Sequence, residues 1–531
     1  LIARAILLLG IASDLWQTFR IARFAASQRR LKKTYRLHDD TPVVSYGPRV
    51  VESIGHAAAR AGHDATFALT SGSTGEPKRI LYTNRRLRTL KFTFSEMFAR
   101  AVLAFGLRRT SLYVFSSFSR DASLTSMLLD EPKLPPYFST LQAPYRVQPH
   151  KSIRALASRY GPSAVRLWLI TLANPGVLYA TNPSTISTFF DDLQNNWIAS
   201  SQLIKDWHQN PHRFDPALRK LARRVASCGS AKRLRLIAKS TSPVPLEEFA
   251  PAVRAYICWT GGYLKPFLDR IANHLPAPRY RLIPMYSMST ETVETEIVFR
   301  DGDVHFLPLA RGVFYEFIPD GAEDDPANLM SPVQLIPGQA YAMVVSDSYG
   351  LRRYQTGDLF ECRSLKNGLA DLAFLRRRSL EYSFTGEKVT AEQLNQIFDR
   401  LRTEHPEIPA NAFLTCVPSL PPNEGPHYKI VLLSDRQTTV DTDHLATRCD
   451  DLLRNLNCEY NSKRASGLLD RASFIQTSPS DFARAFEASW ETQFKFLPLY
   501  RRTWESIHVP QLNAPTIGLS HKNTRQLAQT T

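Results

Sequence analysis

The chain opens on an apolar stretch, Leu1 to Ala12, interrupted by one arginine, and apolar or aromatic residues continue at helical spacing through Leu15, Trp16, Phe19 and Phe24. This pattern predicts an N-terminal amphipathic helix rather than a secretory leader, because no small-residue cleavage pattern follows the apolar run. One or two helices are expected up to about residue 37, and Asp39-Asp40-Thr41-Pro42 then marks a turn. From there to about residue 378, short strand-like runs alternate with helical patterns, which argues for layered α/β architecture. Ser111–Ser117 reads as a strand, Ser152–Arg159 as a helix, and Ser184–Ser201 as a helix opened by an N-cap serine after Pro183. A β-rich stretch is expected over residues 296–318 and 339–346, with strand alternation in Tyr341-Ala342-Met343-Val344-Val345. Beyond Arg378 a smaller α+β unit begins: a helix over Thr390–Thr403, a strand over Tyr428–Ser434 and a helix over Asp443–Leu456. The expected division is a large domain over 1–378, a small domain over 379–512 and a polar, Thr/Gln-rich loose tail over 513–531.

Composition narrows this picture only in places. A chain of 531 residues exceeds a single compact core, and 43% hydrophobic with 22% charged residues is ordinary for a globular protein. The net charge of +17 would attract polyanions, but the basic residues are dispersed as pairs such as Arg85-Arg86, Arg108-Arg109 and Arg352-Arg353. That dispersal reads as an Arg-rich solvated surface, so no nucleic-acid partner is expected. The six cysteines form no C-x-x-C pair and look like reduced, mostly buried thiols of a cytoplasmic protein. No apolar run reaches the roughly 18 to 20 residues of a membrane span, so stable insertion is not expected.

The densest chemical signal is Leu69-Thr70-Ser71-Gly72-Ser73-Thr74-Gly75-Glu76-Pro77-Lys78. Glycines let a backbone approach an anion, the N–H groups and hydroxyls can donate to phosphate oxygens, and Lys78 adds a cation. It is not a G-x-x-x-x-G-K-[ST] loop, because no Lys-Ser or Lys-Thr follows the second glycine. The chain also lacks H-E-x-x-H, G-x-S-x-G and any Cys/His cluster at zinc spacing.

Thr70–Lys78 resembles the signature loop of the adenylate-forming superfamily, where it holds the β- and γ-phosphates of ATP. Three later stretches are similar to the auxin-responsive (Gretchen Hagen) acyl acid–amido synthetases. They are Pro308–Pro319; Pro337–Val345 followed by Gly350-Leu351-Arg352-Arg353-Tyr354-Gln355-Thr356-Gly357-Asp358; and Phe374–Arg378 followed by Gly386-Glu387-Lys388. The resemblance runs from about Trp16 to about Pro498, with its motifs in order. It implies an α/β fold with a large N-terminal domain of β-sheets and a β-barrel-like part, plus a small mobile C-terminal α+β domain.

Residue roles follow from that resemblance. Asp358 corresponds to the carboxylate that accepts hydrogen bonds from the ribose, although an Asp after Thr-Gly also serves as a turn cap. Glu291 corresponds to the Mg²⁺ ligand, a hard oxygen for a hard cation. Thr290 would face the α-phosphate, with Ser289 beside it. Gly261-Gly262 correspond to a turn against the base. An aromatic residue stacks on adenine four positions before the Mg²⁺ glutamate in the superfamily; that position is Ser287 here, and Tyr286 is one residue earlier. Lys388 lies in the third motif, and Ser379 falls at the hinge. Lys495 resembles the lysine that the small domain carries to the α-phosphate during adenylation; as sequence alone it equally reads as a surface lysine. Two further positions differ from the plant pattern: Gln355 replaces an arginine, and Phe496 follows Lys495.

The expectation is therefore an ATP- and Mg²⁺-dependent ligase. It would activate a carboxylic acid as acyl-AMP and pass the acyl group to an amine such as that of an amino acid. An acyl-CoA or acyl-protein synthetase with a thiol acceptor shares the first step. A non-catalytic adenylate-binding protein and a basic nucleic-acid-binding module are the readings from other classes.

Overall fold

The computed structural model describes residues 2–69, 78–115, 118, 124, 151–261, 264–285, 288–300, 302–378, 381–385, 387–409, 412–421, 424–435, 441–486 and 496–507. At its centre is a parallel sheet of β3 (Leu112–Val114), β4 (Val177–Tyr179), β5 (Ala255–Cys258) and β6 (Arg281–Pro284), in that order. These strands are short and apolar because both faces are covered. Tyr113, Leu178, Tyr256 and Cys258 join a core with Trp168 and Phe189 from helices Pro162–Ala173 and Pro183–Asn195. The alternating residues Val114, Val177, Ile257 and Ile283 face a second core with Met97 and Val102 of α4 (Asn84–Phe105) and Ile6 of α1 (Ile2–Ala22). The expected helix over Ser184–Ser201 is two helices, Pro183–Asn195 and Trp197–Gln209. Its cap is Asn182, whose side chain accepts from the Ser184 N–H, so Pro183 takes the first helical position and Ser184 lies inside.

The N-terminal helix is helical but inside-out. Its buried stripe is Ile6, Gly10, Ser13, Gln17 and Ile21. The Arg100 guanidinium donates to Ser13 Oγ at 2.5 Å, and Gln17 donates to the Ile297 carbonyl at 3.0 Å. A Cβ at Gly10 would lie 2.7 Å from the Ala99 carbonyl oxygen, so glycine permits this contact with α4. Leu8, Leu15, Trp16 and Phe19 face outward instead. Averaged over Ala5–Ala22, the helix is long and apolar enough to cross a membrane by length and composition alone. This corrects the expectation that no apolar stretch reaches span length: Ser13, Asp14, Gln17, Thr18 and Arg20 interrupt the stretch without lowering its average below that of a span.

The β-rich stretch begins with a hairpin of β7 (Glu296–Arg300) and β8 (Asp303–Leu307). A four-stranded antiparallel sheet follows, from β9 (Phe314–Pro319), β10 (Ala340–Ser346), β11 (Tyr354–Lys366) and β12 (Leu369–Arg377), ordered β12-β11-β10-β9. Register shifts in β11 bend its pairing on both sides. A smaller antiparallel pair, β1 (Thr66–Leu69) and β2 (Arg79–Tyr82), packs with this sheet in one core.

The C-terminal part has its own core around β13 (Phe413–Ser419), β14 (His427–Leu433) and β15 (Ser473–Thr477). Helices Ala391–Glu404 and Thr442–Leu456 cover it, the first opened by a capping box of Thr390 and Gln393. Leu264 and Phe267 of the preceding part enter this core, with the Phe267 ring stacked 5.3 Å from Phe413. Ser379 and the tail over 513–531 lie outside the described residues.

Candidate active site

Leu69 and Arg79 are register partners, so β1 and β2 bound the signature loop on both sides. Thr70, Ser71, Gly72, Ser73, Thr74 and Gly75 lie outside the described residues, as do Gly262, Tyr286 and Lys495. Lys78, at the loop's exit, is described. Its ammonium donates to Glu291 Oε1 at 2.9 Å and to the Tyr354 hydroxyl at 2.8 Å, while that hydroxyl lies 3.4 Å from the same carboxylate oxygen. Three distant segments thus meet in one charged cluster. Glu291 and Tyr354 are buried, whereas the Lys78 side chain keeps 20% of its exposure.

The Glu291 segment leaves the carboxyl end of β6 and is held from three sides. Ser289 and Thr292 close a tight turn: the Ser289 N–H donates to the Thr292 carbonyl at 3.0 Å, and the Thr292 N–H to Ser289 Oγ at 3.3 Å. The Tyr82 hydroxyl donates to the Thr290 carbonyl at 2.9 Å, and Arg86 donates to the Glu291 carbonyl. Arg86 is fixed in turn by an ion pair with Asp347 at 3.3 Å and by the Tyr82 and Tyr349 rings, 4.5 and 4.6 Å away. Burial raises the Asp347 carboxyl above its ordinary range, with Arg86 opposing. Burial also pushes the Tyr82 phenol up to about 12; Arg86 opposes this and Glu291 adds to it. Tyr82 therefore stays a hydrogen-bond donor at neutral pH.

Asp358 is buried on β11, four residues beyond Tyr354 and within a register shift in the pairing with β10. Gly357 before it takes φ 81°, which suits glycine, and its carbonyl accepts from the Arg378 N–H at 2.7 Å. Gly261 follows β5 and lies against β12: a Cβ there would sit 3.0 Å from Phe374 Cβ, beside the Trp259 ring that packs 5.0 Å from Phe374. Lys388 adopts φ 45° just after a clamp at Glu387. The Glu387 carboxylate accepts from the Phe384 and Thr385 N–H groups at 2.7 and 2.8 Å and from the Tyr428 hydroxyl at 2.5 Å. Burial works to raise its pKa, but these donors outweigh it and hold the carboxyl below the usual range.

The structure thus brings Lys78 and Glu291 into direct contact, sets Ser289 and Thr290 in the same turn, and puts Asp358 on the strand that supplies Tyr354. Lys388 belongs instead to the junction with the C-terminal part. Sequence reading assigned no role to Tyr354 or Arg86. Tyr354 stood within a quoted motif, but its partner is 63 residues away in sequence. Arg86 was grouped with solvated arginines, yet it is nearly buried, as is Arg353, whose guanidinium pairs with Glu316 through two 3.0 Å bonds. Gln355 bonds Asp324 at 3.0 and 2.9 Å, and Arg378 holds the same carboxylate.

Among the described residues, no three metal-binding side chains cluster. Magnesium usually takes one or two carboxylates and completes its shell with phosphate oxygens and water, so Glu291 suffices as the protein's share. The cluster therefore combines a hard anionic oxygen, a cation on a flexible stem and a neutral phenol donor. That set suits polyphosphate chemistry.

Comparison with known proteins agrees in kind. Residues 63–278 match the GH3 family N-terminal domain and residues 306–377 the GH3 family central domain, together more than half of the chain. A probable indole-3-acetic acid-amido synthetase from Oryza sativa subsp. japonica is 22% identical over 301 residues, covering 52% of this chain and 65% of that protein. An indole-3-acetic acid-amido synthetase from Arabidopsis thaliana is 23% identical over 322 residues, covering 54% and 51%. The alignments thus span about half to just under two thirds of these relatives. The solved structure of an acyl acid amido synthetase in complex with 2,4-DB aligns with TM-score 0.66 at 15% identity, covering 95% of each chain. That likeness establishes the fold: a large α/β part and a smaller C-terminal α+β part.

Proposed function

This chain belongs to the GH3 family, and on that premise we propose that it is an ATP-dependent ligase forming an acyl-adenylate and transferring the acyl group to an amine. The observation that carries the reading is the Lys78–Glu291–Tyr354 cluster, at the exit of the signature loop and beyond the carboxyl ends of β5 and β6. In open α/β sheets, ligands bind in the crevice outside those ends.

In the first half-reaction a carboxylate oxygen attacks the α-phosphorus of ATP, pyrophosphate leaves, and a poor electrophile becomes a mixed anhydride. Ser71, Ser73, Thr74 and the glycines of the loop cradle the β- and γ-phosphates, and Lys78 turns from Glu291 toward them. Thr290 donates to the α-phosphate, Asp358 accepts from the ribose, and Gly261, Gly262 and Tyr286 line the base. Glu291 would hold Mg²⁺, which would supply charge neutralisation on the phosphates when bound. Tyr354 and Arg86 are positioning residues: the phenol orients Glu291 Oε1, and the guanidinium fixes the Glu291 backbone. In the second half-reaction the amine attacks the activated carbonyl, loses a proton, and AMP departs.

Residues from 379 onward act as a small mobile domain that brings Lys495 to the α-phosphate only for the first half-reaction. Lys495→Ala should then slow acyl-adenylate formation strongly and leave transfer from pre-formed acyl-adenylate nearly intact. Equal slowing of both steps, or of neither, would remove Lys495 from this role. The cysteine pattern supports a cytoplasmic setting.

The primary test is ATP–pyrophosphate exchange with a panel of carboxylic acids, followed by AMP release with amino acids or coenzyme A as acceptor. Acid-dependent exchange with amine-stimulated AMP release is expected. Stimulation by the thiol alone would reassign the chain to the thioester-forming class, and nucleotide binding without exchange with any acid would make it a non-catalytic adenylate binder.

A further inference from the structure

At the amino ends of the same parallel sheet lies a cavity of about 550 Å³, lined by Arg108, Arg109, Arg254, Arg279 and Arg281 together with Phe105 and Asn174. Its volume falls within the range of small-molecule sites, roughly 300–1,000 Å³. Five guanidiniums line it and no carboxylate does. Arg279 pairs with Glu247 at 3.3 Å; Arg108 and Arg109 have no carboxylate partner among the described residues.

The sheet itself builds this cluster. The amino ends of its four strands are stitched together: the Gly176 N–H donates to the Ser111 carbonyl, Arg254 N–H to Gly176, and Arg281 N–H to Arg254, each at 2.9 Å. Arg281 opens β6 as the register partner of Ala255, and Arg254 lies just before β5, so the two are diagonal neighbours joined by that backbone bond. The Arg254 guanidinium is further pinned by the Pro251 and Val253 carbonyls at 2.8 and 2.7 Å. Gly176 lets the Arg109 segment close the floor, because a Cβ there would lie 2.2 Å from the Arg109 carbonyl oxygen. Like charges at one end of a sheet repel one another; the Pro251, Val253 and Phe105 carbonyls and the Tyr280 ring offset part of that repulsion, and Glu247 is the one carboxylate paired with these arginines among the described residues. Guanidinium forks match phosphate oxygens two at a time, so a compact ligand with several phosphates would relieve it at several points.

We propose that this cavity is a binding site for a compact oligoanion carrying two or more phosphate groups, separate from the nucleotide cleft. The concave shape and the confinement of the five arginines to one end of a four-stranded sheet favour a small ligand over a nucleic acid, which needs an extended basic track.

Calorimetric titration of the full chain with tripolyphosphate tests this, alongside Arg254→Gln/Arg281→Gln and Lys78→Ala. The double variant should weaken tripolyphosphate binding about tenfold or more, since charge-assisted contacts are lost, while Lys78→Ala leaves that binding unchanged. Sulfate should bind far more weakly than tripolyphosphate. If the double variant loses thermal stability, Arg108→Gln/Arg109→Gln should give the same weakening. Loss of binding in Lys78→Ala but in neither arginine pair would put the ligand in the nucleotide cleft and overturn the proposal. So would equal affinities for sulfate and tripolyphosphate. Tighter binding of a short DNA duplex that tripolyphosphate fails to displace would overturn it in favour of a nucleic-acid surface. Binding is read directly, so failure here leaves the ligase reading untouched, and loss of exchange activity leaves this one untouched.

Discussion

At the carboxyl ends of β5 and β6 the chain runs into Gly261 and Glu291, and the charges there are matched inside the protein: Lys78 on Glu291, Arg86 on Asp347. At the amino ends of the same strands, Arg254 and Arg281 face water beside three more arginines, with one carboxylate among them at Glu247. Breaking a buried pair leaves a charge without solvent, which is costly, whereas an exposed guanidinium is screened and contributes little until a ligand removes its water. One end is therefore specific and sensitive to single substitutions; the other is additive and sensitive to salt.

The sharpest test of that contrast is Glu291→Gln against Arg254→Gln. The first should lower pyrophosphate exchange about 100-fold or more, since metal charge stabilisation is worth several kcal/mol. The second should leave exchange within about twofold, because a screened surface charge at the far end touches none of the reacting groups. Comparable losses in both would dissolve the distinction.

Glycine substitutions probe the two ends as packing problems. Gly176→Ala forces a Cβ to 2.2 Å from backbone and Gly261→Ala only to 3.0 Å from a side-chain carbon. Overpacking costs about 1–3 kcal/mol, so Gly176→Ala should fall near the top of that range in urea unfolding and Gly261→Ala near its bottom. Equal costs would mean that β12 yields no more easily than the sheet floor.

Tyr354→Phe removes one donor to Glu291 and one acceptor for Lys78 without altering the ion pair. A net loss of about 1 kcal/mol, read as a several-fold drop in kcat/KM for ATP, is expected. A drop as large as that of Glu291→Gln would make the phenol a participant rather than a positioning group.

Glu387 asks whether matched burial away from the sheet behaves alike. Its folded pKa is depressed, so its stabilising contribution is present above the unfolded value, about 4.3, and is lost as pH falls from there through the folded value. Melting temperatures measured across that acid window should fall less steeply in Glu387→Gln than in the unmodified chain. Parallel curves would show that the Tyr428 clamp contributes nothing measurable.

Element types and the signature loop were legible from local chemistry. Hydroxyls and glycines before Lys78, alternation in β10 and the helix beginning at Thr390 each act within a few residues, so the sequence by itself determined them. It also determined which family's motifs are present and in what order. Tertiary structure alone decided the rest. Ser13 and Gln17 became interior while Leu8 and Leu15 faced outward, because Arg100 and the Ile297 carbonyl offered polar partners on the inner side. Arg86 and Arg108 read alike as halves of Arg-Arg pairs, yet one lies mostly buried against Asp347 and the other lines an open cavity. The difference is not in the residue or its neighbours in sequence. An arginine's role depends on whether the fold brings a carboxylate within about 4 Å of it, and that distance is set by chain segments hundreds of residues apart.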